Sequence, residues 1–358
     1  MRLLKAAKRG DEMELSERKK KILSAIVEQY VKTGEPMGSK VLMDFLPFSV
    51  SSATIRNEMS DLAEMGYLDQ PHTSAGRVPT QKGYRYYVDN LMGENEIDED
   101  EQMQIRRIIG NHIGDPEELL EKAGEILAKL TNCTTVATTP TDAGATVKRI
   151  EIVPIGNRIA MIVLMTSTGI IKNSVCKTDV DITAEMIECF NRIVDESFIS
   201  RPVADIGMVM IQTLVASLGN NAFAMSPLMV SLADLANQAV QAEVRLKGRQ
   251  NLLNHREYSS NAYEMLDFLT DDDKLERVMS SNKSGLQVVI GSENMYRQLE
   301  NSTMIISRYS IQGHDGGAIG IIGPTRIDYA RLIPRIKFIT DLVGSLLTDT
   351  LESEEEMK

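Results

Sequence analysis

Apolar residues recur at helical spacing over residues 16–31, SERKKKILSAIVEQYV. Ile22, Leu23, Ile26, Val27, Tyr30 and Val31 share one face, and Ser16 is placed as an N-cap. KTGEP (32–36) breaks this helix, and GSKVLMDF (38–45) predicts a short second one with Ser39 near its start. LPFSV supplies a turn into a third helix, capped by Ser51 or Ser52, with Ile55, Met59, Leu62 and Met65 on its apolar side and Gly66 at its end. YLDQPHTSAGRVPT then predicts two short strands around a turn at Ser74–Gly76, where Gly76 is expected to supply a positive φ. Pro71 and Pro79 suit edge strands only. TQKGYRYYVDNLM predicts a further amphipathic helix that buries Tyr84, Val88 and Leu91.

After the acidic run GENEIDEDEQ (93–102), helical patterns continue through Leu130. Short β-rich runs come next: TTVATTP, KRIEIVPIG, RIAMIVLMTS and GIIKNSVCK, with a hairpin at Gly156-Asn157. Residues 181–283 turn mainly helical. Strand patterns return at LQVVIG, STMIISRYSI and GGAIGIIG, with Gly316-Gly317 turning a hairpin, and a helix follows over about 326–347. Strands, a helical excursion and strands again suggest an α+β, multidomain chain in which one domain is inserted into another. The boundaries read as a basic N-terminal extension (1–15), a winged-helix head (16–92), an acidic linker (93–104), an α+β domain (105–180 with 284–347), the insertion (181–283) and an acidic, solvated tail (348–358).

Charge sharpens this division. The net charge of −12 is uneven: residues 1–92 hold 14 Lys and Arg against 12 Asp and Glu, and the rest of the chain is strongly acidic. A near-neutral head with a Lys/Arg-rich start leaves room for DNA contact at the head alone. No apolar run approaches the roughly 20 residues of a membrane span, so no membrane partner is expected. Three cysteines without CxxC spacing suit a reducing cytoplasm, and the basic N-terminus lacks the apolar core of a secretory signal.

The third helix carries the functional signal. Opposite its apolar stripe lie Ala53, Arg56, Asn57, Ser60 and Glu64, and its first turn holds the small hydroxyl residues Ser51, Ser52 and Thr54. That pattern fits a recognition helix entering a major groove N-terminus first, its free N–H groups toward a phosphate. Arg56 can pair with guanine N7 and O6 and Asn57 with adenine N6 and N7, each good pair discriminating by about 1–3 kcal/mol. The short helix before it completes a helix-turn-helix, and the strand pair after it forms a wing whose tip carries His72, Thr73, Ser74 and Arg77. The DNA-binding candidates are therefore Ser39, Ser51, Ser52, Ala53, Thr54, Arg56, Asn57, Ser60, His72, Thr73, Ser74, Arg77 and Lys82.

SSATIRNEMSDLAEMGYLDQPHTSAGRVPTQKGYRYYVDNLM resembles the DNA-binding head of HrcA, the bacterial heat-inducible transcription repressor family, and IGPTRIDYARLI extends the resemblance toward the C-terminus. The resemblance implies a winged-helix head, a GAF-like middle domain and a dimerising domain inserted into it. It implies repression of chaperone operons of the groE and dnaK type through the CIRCE inverted repeat in double-stranded DNA, bound as a homodimer. It also implies support from the GroE chaperonin, lost on heat stress. MRLLKAAKRGDEM precedes the usual family start, so Met13 is an alternative start or the extension adds phosphate affinity. A palindromic operator needs a two-fold protein. Leu214, Val215, Leu218, Phe223, Met225, Leu228, Met229, Leu232 and Leu235 are candidates for that interface or for an internal core.

Other chemistry finds little footing. GHDGGAIGIIG (313–323) lacks GKS or GKT, the four histidines share no ligand spacing, and neither HExxH nor GxSxG occurs. No enzyme, metal or cofactor is expected. DDDK (271–274) reads as a helix start or a solvated loop. Three alternatives stay open: a ligand-sensing regulator using the GAF-like domain, an enzyme with a nucleic-acid-binding head, and a chaperonin adaptor whose head binds protein.

Overall fold

Ser16 accepts a hydrogen bond from the Lys19 amide at 3.3 Å and so starts α1 (Glu17–Thr33), which Gly34 ends in the left-handed conformation. The computed structural model describes residues 15–72, 75–93, 95–110, 116–139, 145–259, 261–281 and 285–356. They form two units. The first takes in the described residues up to Glu96, with Val289–Thr303 and Gly323–Pro334; the second holds Ile97–Val288, Met304–Ile322 and the chain from Arg335 onward.

In the first unit, α2 (Ser39–Leu42) runs into a 3-10 turn at Met43–Phe45, and α3 (Ser52–Glu64) follows, N-capped by Ser51. Ile22, Leu23, Ile26, Leu42, Ile55 and Leu62 are fully buried where these helices meet. Strands β1 (Leu68–Asp69) and β2 (Val78–Pro79) pair antiparallel, Leu68 opposite Pro79. Gly76 does not have a positive φ. A side chain there would strike the Met37 carbonyl at 2.4 Å, so glycine is required for close backbone approach instead. Thr80 caps α4 (Gln81–Tyr86), whose continuation Tyr87–Leu91 is a π-helical turn. The expected 3.6-residue phase therefore slips: Tyr84 and Tyr87 are buried, and Val88 and Leu91 are only half-buried.

The second unit opens with α5 (Glu99–Gly110) and α6 (Pro116–Thr131); the acidic run thus already contains the first turn of α5. Strand β3 (Thr134–Thr138) is followed by an antiparallel sheet of β4 (Val147–Gly156), β5 (Ile159–Thr166) and β6 (Ile171–Lys177). Alternate residues of β5, Ala160, Ile162 and Leu164, share one core with α7 (Ala184–Ser197), α8 (Met208–Ser217) and α9 (Ala222–Val240). The helical reading of 181–283 missed strand β7 (Val244–Lys247), which pairs antiparallel with β3. Helices α10 (Ala262–Phe268) and α11 (Asp272–Ser280) follow, and Asp271 of DDDK caps α11.

Strands β8 (Leu286–Ile290), β9 (Ser302–Ile311) and β10 (His314–Pro324) complete a five-stranded sheet in the order β7-β3-β10-β9-β8. The β9–β10 turn falls at Gln312 and Gly313, both at positive φ, and not at Gly316-Gly317. Those two glycines lie inside β10, where a Cβ would meet the Tyr309 ring at 2.6 Å or the Thr138 carbonyl oxygen at 2.5 Å. The last helix, α12 (Tyr329–Glu356), outruns its expected end at 347 and continues into the acidic stretch. Among the described residues no helix is long and apolar enough to cross a membrane.

Candidate nucleic-acid interface

Helix α3 is fixed from its apolar side. Ile55 and Leu62 are fully buried and Met59 nearly so, while Met65 is half-buried at the C-cap. One flank is held by charge: Glu58 pairs with Arg18 and Lys19, both at 3.3 Å, and Asp61 pairs with Lys19 at 2.8 Å. These bonds engage two of the α1 cations. Lys20 pairs with Glu17 at 2.9 Å, and the Lys21 ammonium lies 5.8 Å from the Phe48 ring.

The face that remains open carries Ala53, Arg56 and Asn57, all exposed, with Ser60 half-buried beside them. Their spacing of three and four residues puts them on one side of the helix. Among the described residues, neither Arg56 nor Asn57 has a hydrogen-bond or ion-pair partner. A guanidinium and a carboxamide are thus presented together, the two planar groups suited to bidentate bonds with purine edges.

The hydroxyls at the start of α3 are already engaged. Ser51 Oγ accepts from the Thr54 amide at 3.1 Å and shares a hydrogen bond with Thr54 Oγ1 at 2.8 Å. Ser39, 9% exposed, shares one with Ser52 at 2.9 Å and so ties α2 to α3. These residues shape the helix end.

The β1–β2 pair is anchored at its base. Met37 and Arg77 exchange backbone bonds of 2.9 and 2.8 Å, and Arg77 Nη1 donates to Gln70 Oε1 at 2.8 Å. Gln70 Nε2 in turn donates to the Ala75 carbonyl at 3.1 Å, so Arg77 braces the β1–β2 connection through its half-buried side chain. His72 is exposed; Thr73 and Ser74 lie outside the described residues. Lys82 stands at the other end of α3. Its ammonium donates to the Met65 carbonyl at 3.2 Å and lies 4.5 Å from the Tyr67 ring, where it complements the negative helix terminus. The structure therefore brings Ala53, Arg56, Asn57 and Ser60 onto one face, sets Ser39, Ser51, Ser52 and Thr54 at its N-terminal end, places Lys82 at its C-terminal end and engages Arg77 with Gln70.

The geometry defines a class first: an α+β chain whose first unit opens with a helix-turn-helix and a paired two-strand extension. The profile of the HrcA protein C terminal domain matches residues 117–333. The heat-inducible transcription repressor HrcA of Acetivibrio thermocellus is 34% identical over 332 residues, 91% of this chain and 95% of that protein. That of Thermoanaerobacter pseudethanolicus is 35% identical over 346 residues, 96% and 100% of the two chains. The chain belongs to the HrcA family. A crystal structure at 2.2 Å resolution, of a protein described only as hypothetical, shares the fold with a TM-score of 0.65 at 24% identity, over 94% of this chain and all of that one.

Proposed function

We propose that this protein is a sequence-specific, DNA-binding transcription repressor that reads base edges with α3. The observation that carries the reading is the exposed, unpartnered pair Arg56 and Asn57 on a helix locked from behind by Ile55, Met59 and Leu62. In this reading the head is a winged helix, the five-stranded sheet belongs to a GAF-like domain, and the dimerising insertion, expected over 181–283, is redrawn around the β4–β6 sheet with α7–α9 because those elements share one core. Val209 and Phe223, 79% and 67% exposed on α8 and α9, support pairing of two copies there. The dimer binds the CIRCE inverted repeat upstream of heat-shock chaperone operons in the cytoplasm, without catalysis. The GroE chaperonin sustains it, and heat stress removes that support.

The test is fluorescence anisotropy of a labelled inverted-repeat duplex against a scrambled one across a salt series, with and without chaperonin. Preference for the repeat that survives rising salt is expected, and Arg56→Ala or Asn57→Ala should each cut it by about 1–3 kcal/mol. Equal binding of both duplexes in every condition sinks the reading.

A further inference from the structure

The first unit contains a second candidate site, away from the exposed face of α3. A cleft of about 350 Å³ is lined by the aliphatic residues Val27, Val31 and Ile327 and by Tyr87, with Glu28 and Asp328 as its acids. Tyr87 belongs to the π-helical turn and is only 5% exposed, whereas both carboxylates are exposed and so form the rim. Among the described residues nothing hydrogen-bonds the Tyr87 hydroxyl. Burial, then the charge of Glu28 and that of Asp328, together push the pKa of that hydroxyl up to about 12, so both acids act on the same point.

Neither acid is neutralised. Glu28 Oε1 accepts from Ser24 Oγ at 2.8 Å and Asp328 Oδ1 from the Arg331 amide at 3.1 Å, but neither forms an ion pair among the described residues. Among the described residues Lys32 is the one cation lining the cleft, and it has no ion-pair partner there. Asn95 closes the cleft beside Gly93 and donates to the Ala330 carbonyl at 3.4 Å.

The donor set decides the ligand class. A hard metal ion needs more oxygen ligands than two carboxylates and a phenol, and no group of three metal-binding side chains occurs among the described residues. Aliphatic walls next to separated acids suit a chain of methylenes carrying ammonium groups, and a tyrosine ring attracts such a cation. We propose that the cleft binds an aliphatic polyamine, its ammonium groups on Glu28, Asp328 and the Tyr87 hydroxyl and its methylenes on Val27, Val31 and Ile327. The ligand joins α1, the π turn and the segment 323–334, so binding stabilises the first unit. The site stands independently of DNA reading.

The test is titration calorimetry of the full-length protein with spermidine at fixed ionic strength, with magnesium as the charge control. One saturable site is expected, accompanied by a rise in melting temperature. Glu28→Gln and Asp328→Asn should each weaken it about tenfold, the loss of one charge-assisted contact. Lys32→Gln, which removes the opposing charge from the rim, should tighten it. All three positions are exposed, so the variants keep the fold, which circular dichroism verifies. No saturable heat, equal response to magnesium, or binding indifferent to both acid substitutions overturns the site, leaving only general attraction to an acidic protein.

Discussion

A methyl group at position 76 would lie 2.4 Å from the carbonyl carbon and oxygen of Met37, atoms that cannot swing aside as a side chain can. The same carbonyl receives the Arg77 amide at 2.8 Å, so relieving the clash breaks the bridge that anchors the β1–β2 pair. Gly76→Ala should therefore cost about 1–3 kcal/mol, the range for forced overpacking, read as a lowered thermal midpoint. A midpoint equal to wild type would mean that the backbone at Met37 yields freely. The same scale separates useful from ambiguous substitutions on the candidate interface. Ser51→Ala removes a helix cap as well as any phosphate contact, and Ser39→Ala cuts the link to Ser52. Arg56 and Asn57 have no such internal duty among the described residues, so loss of binding on their replacement reports recognition itself.

At the scale of elements, the second unit is bound by charge where its two sheets approach. Lys172 of β6 bonds Glu243 and also Glu117 of α6 at 3.1 Å, and Arg245 of β7 bonds Glu117 at 2.7 Å and Glu243 at 2.5 Å. Burial alone would raise the Glu243 carboxyl, but the bond from Lys172, its charge and that of Arg245 outweigh it and hold the pKa below the ordinary 4.5. A carboxyl lowered by folding adds stability above its unfolded pKa and loses it as pH falls through the folded value. Glu243→Gln should thus lower stability at neutral pH by about 0.2–1 kcal/mol, the scale of partly solvated pairs. The gap from wild type should close as pH drops below 4.5. A gap unchanged into acid would show that packing, not charge, carries it.

This network was not legible beforehand, and the reasons are physical. Helices α1 and α3 announced themselves by 3.6-residue periodicity and serine caps, both local properties. Strand β7 is only four half-buried residues, VRLK, an alternation too short to stand out between helical patterns, and its place is set by β3 more than a hundred residues earlier. The π turn was hidden because a pattern read at 3.6 residues assumes the helix type it seeks. The same holds for the candidate interface: the exposed Arg56–Asn57 face was readable from spacing, but the partners of Arg77 and Lys82, Gln70 and the Met65 carbonyl, depend on turns that only the folded chain defines.

For the molecule as a whole, the described residues up to Glu96 do not make up a compact unit by themselves. Their unit includes Val289–Thr303 and Gly323–Pro334, from the far end of the chain. The Gln81 amide accepts from the Ser292 amide at 2.9 Å and donates to the Glu300 carbonyl at 3.2 Å, over a Gly291 whose Cβ would collide with it. Arg85 grips Glu293 through two bonds of 2.9 and 2.5 Å, and Arg326 donates to the Val31 carbonyl at 3.0 Å, beside the Gly34 cap of α1. Tyr84 packs against Tyr329 with ring centroids 5.8 Å apart, and Tyr329 is itself bonded to Thr303 at 2.8 Å. A fragment of residues 1–96 loses every one of these partners and exposes Tyr84, a buried aromatic. Such a fragment should melt well below the full-length protein, or without a cooperative transition, when followed by far-ultraviolet circular dichroism. Its affinity for the inverted repeat should fall with its folded fraction and return on cooling. If instead the fragment melted as cooperatively and at the same temperature as the whole chain, the distant segments would be lying against a head that does not need them.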